Sequence, residues 1–208
     1  DMSYLFNEKT GFNSNISNWN TAKVTTMERM FRHAESFNKD LNSWNTSKVT
    51  NMKVMFSNAL AFNQDLNNWD VSKVPNMEYM FSNAYVFNGN ISGWNVSNLT
   101  YAPYLFSNAQ KFNQNISGWN VSKLSNMVGM FQGTTVFNQN ISTWNVQKIN
   151  STGTNSGAGN AGIYGQNANN HSDSLFRTSN LSYFWIKGRP VSYTHLRAHE
   201  TSLHLVCR

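Results

Sequence analysis

The sequence predicts an α/β repeat fold, a solenoid of about six 25-residue coils that each hold one short parallel strand and one short helix. Two observations lead to this prediction. Tryptophan recurs every 25 residues over most of the chain. Within each repeat, apolar residues first lie two residues apart and then three or four apart, which are the spacings of a strand and of a helix. The recurring tryptophans are Trp19, Trp44, Trp69, Trp94, Trp119 and Trp144.

The strand is predicted around the tryptophan of each repeat. Trp69 and Val71 lie two residues apart, so both side chains would point to the same face of a strand. Stacked coils would then form a parallel sheet with strands about 4.8 Å apart. We expect the six tryptophans to form one buried column that is the structural core of this sheet.

The helix is predicted in the residues that follow. Apolar side chains there have the spacing i, i+3, i+6, i+7 and i+10, which is the stripe of a short amphipathic helix. Thr50 precedes the stripe, where its hydroxyl can cap free backbone N–H groups. In the second full repeat the stripe consists of Val49, Met52, Met55, Phe56 and Ala59.

Asparagine also recurs in the 25-residue register, and its predicted role is structural. Asparagine tolerates turn conformations, and its side-chain amide can satisfy backbone groups at the corners of a coil. One series consists of Asn13, Asn38, Asn63, Asn88, Asn113 and Asn138. A second series consists of Asn20, Asn45, Asp70, Asn95, Asn120 and Asn145.

The repeat motif is specific enough to indicate a family. The segment FNQDLNNWDVSKVPNMEYMF and its equivalents resemble the 25-residue leucine-rich-repeat-like units of the BspA family of surface proteins, which also occur as a domain of unknown function in mycoplasma lipoproteins. The resemblance covers about residues 1–150. It implies a right-handed, leucine-rich-repeat-like solenoid at a cell surface or outside the cell, linked to adhesion, with no catalytic residues and no cofactor.

The register divides the chain into four segments. Residues 1–150 form the repeat region, which starts in the middle of a repeat, so we expect the chain to be a fragment of a longer protein. Residues 151–173 are rich in Gly, Asn and Ser and are predicted to be a linker. Residues 174–190 are a poorly defined segment, and residues 191–208 break the register completely.

The last segment has two interpretations. Residues 191–208 resemble a conceptual translation of sequencing-adapter read-through, so we expect this tail not to be native protein. The alternative is a zinc site, because histidines four residues apart share one face of a helix. Its ligands would be His195, His199, His204 and Cys207.

Composition excludes several classes of function. The net charge of +6 is not concentrated in a basic cluster, so the sequence does not predict nucleic-acid binding. No apolar run approaches the roughly 20 residues that a membrane-spanning helix needs, so no membrane insertion is expected. A single cysteine excludes an intrachain disulfide framework. The repeats also lack any pattern typical of a catalytic or metal site, so we expect neither an enzyme nor a metalloprotein.

Two surfaces are candidates for binding. The first is the outward face of the predicted sheet, which is small and polar and would suit a flat ligand. Its residues are Asn18, Asn20, Asn68, Asp70, Gly93, Asn95, Gly118 and Asn120. The second is a basic stripe along one edge, which would suit an acidic glycan or protein or would simply be a solvated edge. Its residues are Lys23, Lys48, Lys73, Lys123 and Lys148.

The sequence therefore predicts a non-enzymatic interaction or adhesion module. Its partner would be a protein or glycan of a host, a neighbouring cell or an extracellular matrix, bound through a broad face. The alternative is an array that binds carbohydrate, or ice, directly on the flat polar face.

Overall fold

The computed structural model describes residues 1–141, 143–146 and 148 and two strands near the C-terminus. Strand β1 spans Tyr183–Ile186 and strand β2 spans Arg189–Ser192; they pair antiparallel, with Tyr183 opposite Ser192. The predicted linker at 151–173 lies outside the described residues, as do His195, His199, His204 and Cys207.

The predicted α/β solenoid is wrong. Residues 1–141 contain neither a helix nor a strand. They consist of hydrogen-bonded turns and extended connections, with three isolated parallel bridges such as Thr26↔Asn51. The expected strand at Trp69 and the expected helix after Val49 are therefore both absent, and the leucine-rich-repeat-like architecture with them.

The repeats instead form a stack of 25-residue coils joined by backbone hydrogen bonds. From residue 1 to residue 108, every second N–H group of an eight-residue turn segment donates to a carbonyl of the following coil, 24 residues later, with Met52 as the exception. Met27 donates to Asn51 and Arg29 donates to Lys53, each at 2.9 Å. We call these segments the turn ladder; they are residues 1–8, 26–33, 51–58, 76–83, 101–108 and 126–133.

Left-handed residues explain why the turn ladder is not helical. Arg29 has a φ of 53° and His33 a φ of 56°, and the equivalent positions of the other coils also have positive φ. A right-handed helix cannot continue through such residues. The intervening N–H groups close tight turns within the coil, as from Met30 to the carbonyl of Met27 at 3.2 Å. All the apolar residues of the predicted helical stripe are nevertheless buried.

Stacked aromatic rings fill the core. Within a coil the rings of Phe31 and Phe37 have centroids 4.2 Å apart, and between coils those of Phe31 and Phe56 are 5.4 Å apart. Both pairs are close to parallel, so each ring contacts neighbours in its own coil and in the next. Because a coil covers the rings of the coil beside it, its stability depends on its neighbours.

The tryptophans form one column, in which the indole N–H of Trp44 donates to the backbone carbonyl of Ile16 in the preceding coil at 3.1 Å. The same bond recurs at each later tryptophan, and the five from Trp44 to Trp144 are buried. The expectation that all six are buried is wrong for Trp19, which is 37% exposed.

The prediction that asparagine satisfies backbone groups at the coil corners is confirmed. The side-chain oxygen of Asn13 accepts the N–H of Asn38 in the next coil at 3.0 Å. The same bond continues along the series to Asn138. In the second series, the side-chain oxygen of Asn45 accepts the N–H of Ser47 two residues later, which stabilises a turn.

Tryptophan truncation is expected to cost more in the middle of the stack than near its end. Trp94→Ala leaves a cavity between two described coils, so we expect a loss of about 3–5 kcal/mol in the free energy of unfolding. Trp144→Ala is expected to lose less, because a terminal coil can fray. Urea unfolding of both variants measures the difference, and equal losses would contradict it.

A valine-to-glycine pair tests the left-handed conformation. Val54 has a φ of 59°, which costs a β-branched residue about 1–3 kcal/mol. Val54→Gly is therefore expected to raise stability by about 1 kcal/mol after the entropy cost of glycine. The control is Val86→Gly, at an exposed residue outside the left-handed positions, which is expected to lose about 1 kcal/mol. If residues 51–58 were helical, both substitutions would lower the melting temperature.

Candidate functional site

The predicted sheet-face residues lie on turns rather than on a flat sheet. The N–H of Trp69 donates to the carbonyl of Leu66, and that of Val74 donates to Val71, each at 3.0 Å. These two turns place Asn68 and Lys73 at exposed tips, and the same pair of turns recurs in other coils. We call this surface the polar turn face. All eight predicted residues are exposed on it: Asn18, Asn20, Asn68, Asp70, Gly93, Asn95, Gly118 and Asn120.

Much of the polar turn face is already hydrogen bonded within the stack. The backbone N–H of Asn68 donates to the side chain of Asn42 in the preceding coil at 2.9 Å, and that of Gly93 donates to Asn67 at 2.8 Å. The side chain of Asp70 accepts the N–H of Ser72 at 3.0 Å. Hydrogen bonds from the Ser72 hydroxyl and N–H lower the pKa of this carboxyl group. The face is therefore regular, but these groups have fewer hydrogen bonds to offer a ligand.

The lysines of the basic stripe are all exposed, and two of them bridge consecutive coils. The ammonium group of Lys73 donates to the carbonyl of Ser47 at 2.8 Å, and that of Lys123 donates to the side chain of Asn98 at 2.7 Å. Asn98 interrupts the stripe and donates to the carbonyl of Ser72 in the same way. A structural role therefore accounts for part of the stripe. Its members are Lys23, Lys48, Lys73, Lys123 and Lys148.

A tyrosine cluster on the turn ladder was not anticipated from the sequence. Tyr79 and Tyr101 are 40% and 37% exposed, and Tyr104 is half-buried. The rings of Tyr79 and Tyr104 stack with centroids 4.9 Å apart and an angle of 14° between their planes. The ring of Tyr104 also covers Gly129, where an added Cβ would lie 2.3 Å from two ring carbons. The tyrosine cluster is thus fixed by contacts that span three coils.

The cluster has a defined electrostatic environment. Partial burial, the neighbouring Tyr104, the carboxylate of Glu78 and Tyr101 all raise the pKa of Tyr79, in that order of importance. The phenol of Tyr79 is therefore uncharged at neutral pH, and its hydroxyl can both donate and accept a hydrogen bond.

The sequence signal for this cluster lies in the variation between repeats. Tyr79 and Tyr104 occupy one repeat position, which the other coils fill with Tyr4, Arg29, Val54 and Gly129. On the polar turn face, by contrast, the eight predicted residues are all Asn, Asp or Gly. A comparison of exposed positions, coil by coil, would have separated the constant face from the variable one.

The family model for Mycoplasma protein of unknown function, DUF285, matches the chain twice, over residues 1–88 and 63–163. The chain belongs to this family. Searches among curated proteins and among solved structures give no match. In the described part of the chain, no helix has the length and apolar character needed to cross a membrane, and no group of three or more His, Cys, Asp or Glu side chains could hold a metal ion.

The acid stability of the polar turn face can be tested at Asp70. Because the pKa of Asp70 is lowered in the folded chain, its contribution to stability is complete above the unfolded pKa of about 3.9 and is lost as the pH falls through the folded pKa. Asp70→Asn retains the turn that Asn45 forms in its own coil, but it cannot titrate. Between pH 7 and pH 3, urea unfolding should show a larger loss for the unchanged chain than for the variant. Parallel losses would contradict the role of Asp70.

Proposed function

We propose that this chain is a non-enzymatic binding module of a surface protein, and that it binds a protein partner through the turn ladder. The resemblance of the 25-residue repeat motif to the units of BspA-type surface proteins supports a role in adhesion and a location outside the cell or at its surface. The partner would belong to a host, a neighbouring cell or an extracellular matrix.

The exposed tyrosine cluster is the observation that carries this proposal. Tyrosine gives a large amphipathic contact area and loses little side-chain entropy on binding, and it is enriched among residues that dominate the energy of protein interfaces. Here the rings of Tyr79 and Tyr104 are already ordered by stacking on each other. A partner would therefore contact a surface that needs little reorganisation.

The turn ladder provides a rigid support for such a surface. The backbone N–H groups of Tyr79 and Tyr104 donate to Pro103 and Val128 in the following coils at 3.0 and 2.7 Å. Each coil adds one row of outward residues to this face, and the rows differ in chemistry along the stack. A variable row on a constant scaffold is suited to specific recognition.

The alternative function is direct binding of carbohydrate, or of ice, on the polar turn face. The regular exposure of small polar residues such as Asn68, Gly93 and Gly118 favours it. A further possibility on the same side of the coils is an acidic partner bound by the lysines. In both alternatives, binding would depend on residues outside the tyrosine cluster, so substitutions can distinguish the three surfaces.

The experiment measures binding of the whole chain to wells coated with extracellular-matrix extract. One set of wells is untreated, one is digested with protease and one is oxidised with periodate, which destroys glycans. We expect protease to abolish binding and periodate to leave it unchanged. The double variant Tyr79→Ser, Tyr104→Ser should bind at least about thirtyfold more weakly, because substitution of an interface hot-spot residue costs about 2 kcal/mol or more and about 1.4 kcal/mol is tenfold in Kd.

Matched variants identify the face that binds. Tyr85→Ser changes an exposed tyrosine outside the cluster and should bind normally.

Two further sets of substitutions test the alternative surfaces. Bulky residues at Asn68, Gly93 and Gly118 test the polar turn face. Gln at Lys48, Lys73 and Lys123 tests the basic stripe, for which affinity would also fall steeply with salt, since exposed charges are screened beyond about 10 Å at 0.1 M. Binding that survives the tyrosine substitutions but is lost in either of these sets would refute the proposed face.

A further inference from the structure

A side-chain cap begins five of the six turn-ladder segments. The side-chain oxygen of Asn76 accepts the backbone N–H of Glu78, two residues later, at 2.9 Å. The equivalent bond recurs in four other segments at 2.7 to 3.5 Å. Each cap satisfies a backbone N–H group and fixes the first turn of its segment. The capping residues are Asp1, Thr26, Asn51, Asn76 and Asn126.

The segment at residues 101–108 is the exception, and it lacks both halves of the cap. Tyr101 occupies the capping position, and Pro103 occupies the position of the capped residue. Proline has no backbone N–H, so this segment contains no group for a cap to satisfy. Donor and acceptor are therefore missing together, which leaves position 101 without the structural role that it has in the other five segments.

Tyr101 lies at the surface on a backbone that is held from both sides. It forms isolated parallel bridges with Asn76 and Asn126 in the neighbouring coils, and its carbonyl accepts the N–H of Met77 at 3.0 Å. Pro103 is buried, although the residues at this position in the other five segments are only half-buried. Tyr101 itself is 37% exposed. A surface tyrosine with a fixed backbone and no capping role is available for contact with a partner.

The turn ladder is charged in its first three segments and almost uncharged in its last three. Segments 101–108 and 126–133 contain no Asp, Glu, Lys or Arg, and segment 76–83 contains only Glu78. Glu78 is already paired with Lys53 at 3.7 Å. A partner charge buried against the last three segments would therefore lack an opposite charge, and burial of an unpaired charge is costly. The charged residues of the first three segments are Asp1, Glu8, Glu28, Arg29, Arg32 and Lys53.

We propose that Tyr101 is a contact residue for the partner protein, and that the part of the partner that it contacts is uncharged. This inference rests on the proposed function and identifies the chemistry of the contact. The tyrosine ring provides apolar area, and its hydroxyl can donate and accept a hydrogen bond. The matching partner surface would consist of apolar side chains and uncharged polar groups, as in the cores of protein interfaces, which are depleted of charged residues.

A double-mutant cycle tests whether position 101 is free of the capping role. Tyr101→Asn introduces the usual capping residue, and Pro103→Ala introduces the N–H group that it would cap. In the unchanged background Tyr101→Asn should not raise the melting temperature. In the Pro103→Ala background its effect should be more favourable by about 2–4 °C, as expected for one cap in a chain of this size. Equal effects in the two backgrounds would contradict the structural argument and overturn the proposal.

A matched control separates the loss of a surface ring from damage to the stack. Tyr85 is 42% exposed and lies outside the turn ladder, so Tyr85→Asn removes a comparable ring. Tyr101→Asn should lower the melting temperature no more than Tyr85→Asn does. A clearly larger loss would assign Tyr101 to the packing of the stack and overturn its role as a contact residue.

Binding of the same variants to the matrix-coated wells tests the contact itself. Tyr101→Asn should bind at least about fivefold more weakly, which corresponds to the cost of about 1 kcal/mol that marks a contributing interface residue. Tyr85→Asn should bind normally. An increase in NaCl from about 0.05 M to about 0.5 M should change the affinity of the unchanged chain less than about twofold, because no charged contact is screened. Normal binding by Tyr101→Asn would overturn the contact, and a steep fall in affinity with salt would overturn the uncharged partner surface.

The outcome is separable from that of the proposed function. If the double variant Tyr79→Ser, Tyr104→Ser loses binding while Tyr101→Asn binds normally, the proposed face is correct and the contact at Tyr101 is wrong. If the unchanged chain does not bind matrix protein, the proposed function fails and this inference fails with it, whatever the double-mutant cycle shows.

Discussion

The hydrogen bonds that run from one coil to the next determine the rest of this structure. In the turn ladder, every second peptide N–H points along the stack and donates to the following coil, while the peptides between them close turns inside the coil. Both kinds of peptide thereby find partners, which is a requirement for buried backbone groups. The pattern forces left-handed residues at two positions of each coil and leaves the apolar side chains directed inward.

This constraint explains what could and could not be predicted from the sequence. The register and the core could be predicted from the sequence, because residues such as Phe56 and Trp69 must be buried in any stack with a 25-residue period. The local backbone conformation could not, because an apolar spacing of three and four residues fits a right-handed helix and the turn ladder equally well. One sequence feature did indicate left-handed residues: Asn58 and Gly133 share a repeat position, and both residue types tolerate positive φ. The other left-handed position of the repeat gave no such indication, because it holds Val54, and valine rarely adopts positive φ.

Prediction of the site was limited by a related effect. A repeat analysis finds positions that are alike in every coil, and such positions in this chain hold the stack together. Asn63 and Asn88 show this, since the side-chain oxygen of Asn63 accepts the N–H of Asn88 in the next coil. The tyrosine cluster belongs to a position whose residue changes from coil to coil, so it contributes nothing to the repeat pattern. Only the stacking of Tyr104 on Tyr79 and over Gly129 makes it a coherent surface.

The common direction of the turn-ladder peptides has one more consequence. Each aligned peptide carries a dipole, and dipoles that lie head to tail add, as they do along a helix. In the turn ladder the inter-coil N–H groups point towards later coils and their carbonyl partners towards earlier ones, with the exception of Tyr101, which donates back to Pro75. A few bonds elsewhere, such as Thr50 to Thr25, also run the other way. The turn-ladder face therefore has an electrical polarity, negative towards its first coils and positive towards its last. A charged molecule on this face experiences a different potential at each end, so the face has a direction as well as a shape.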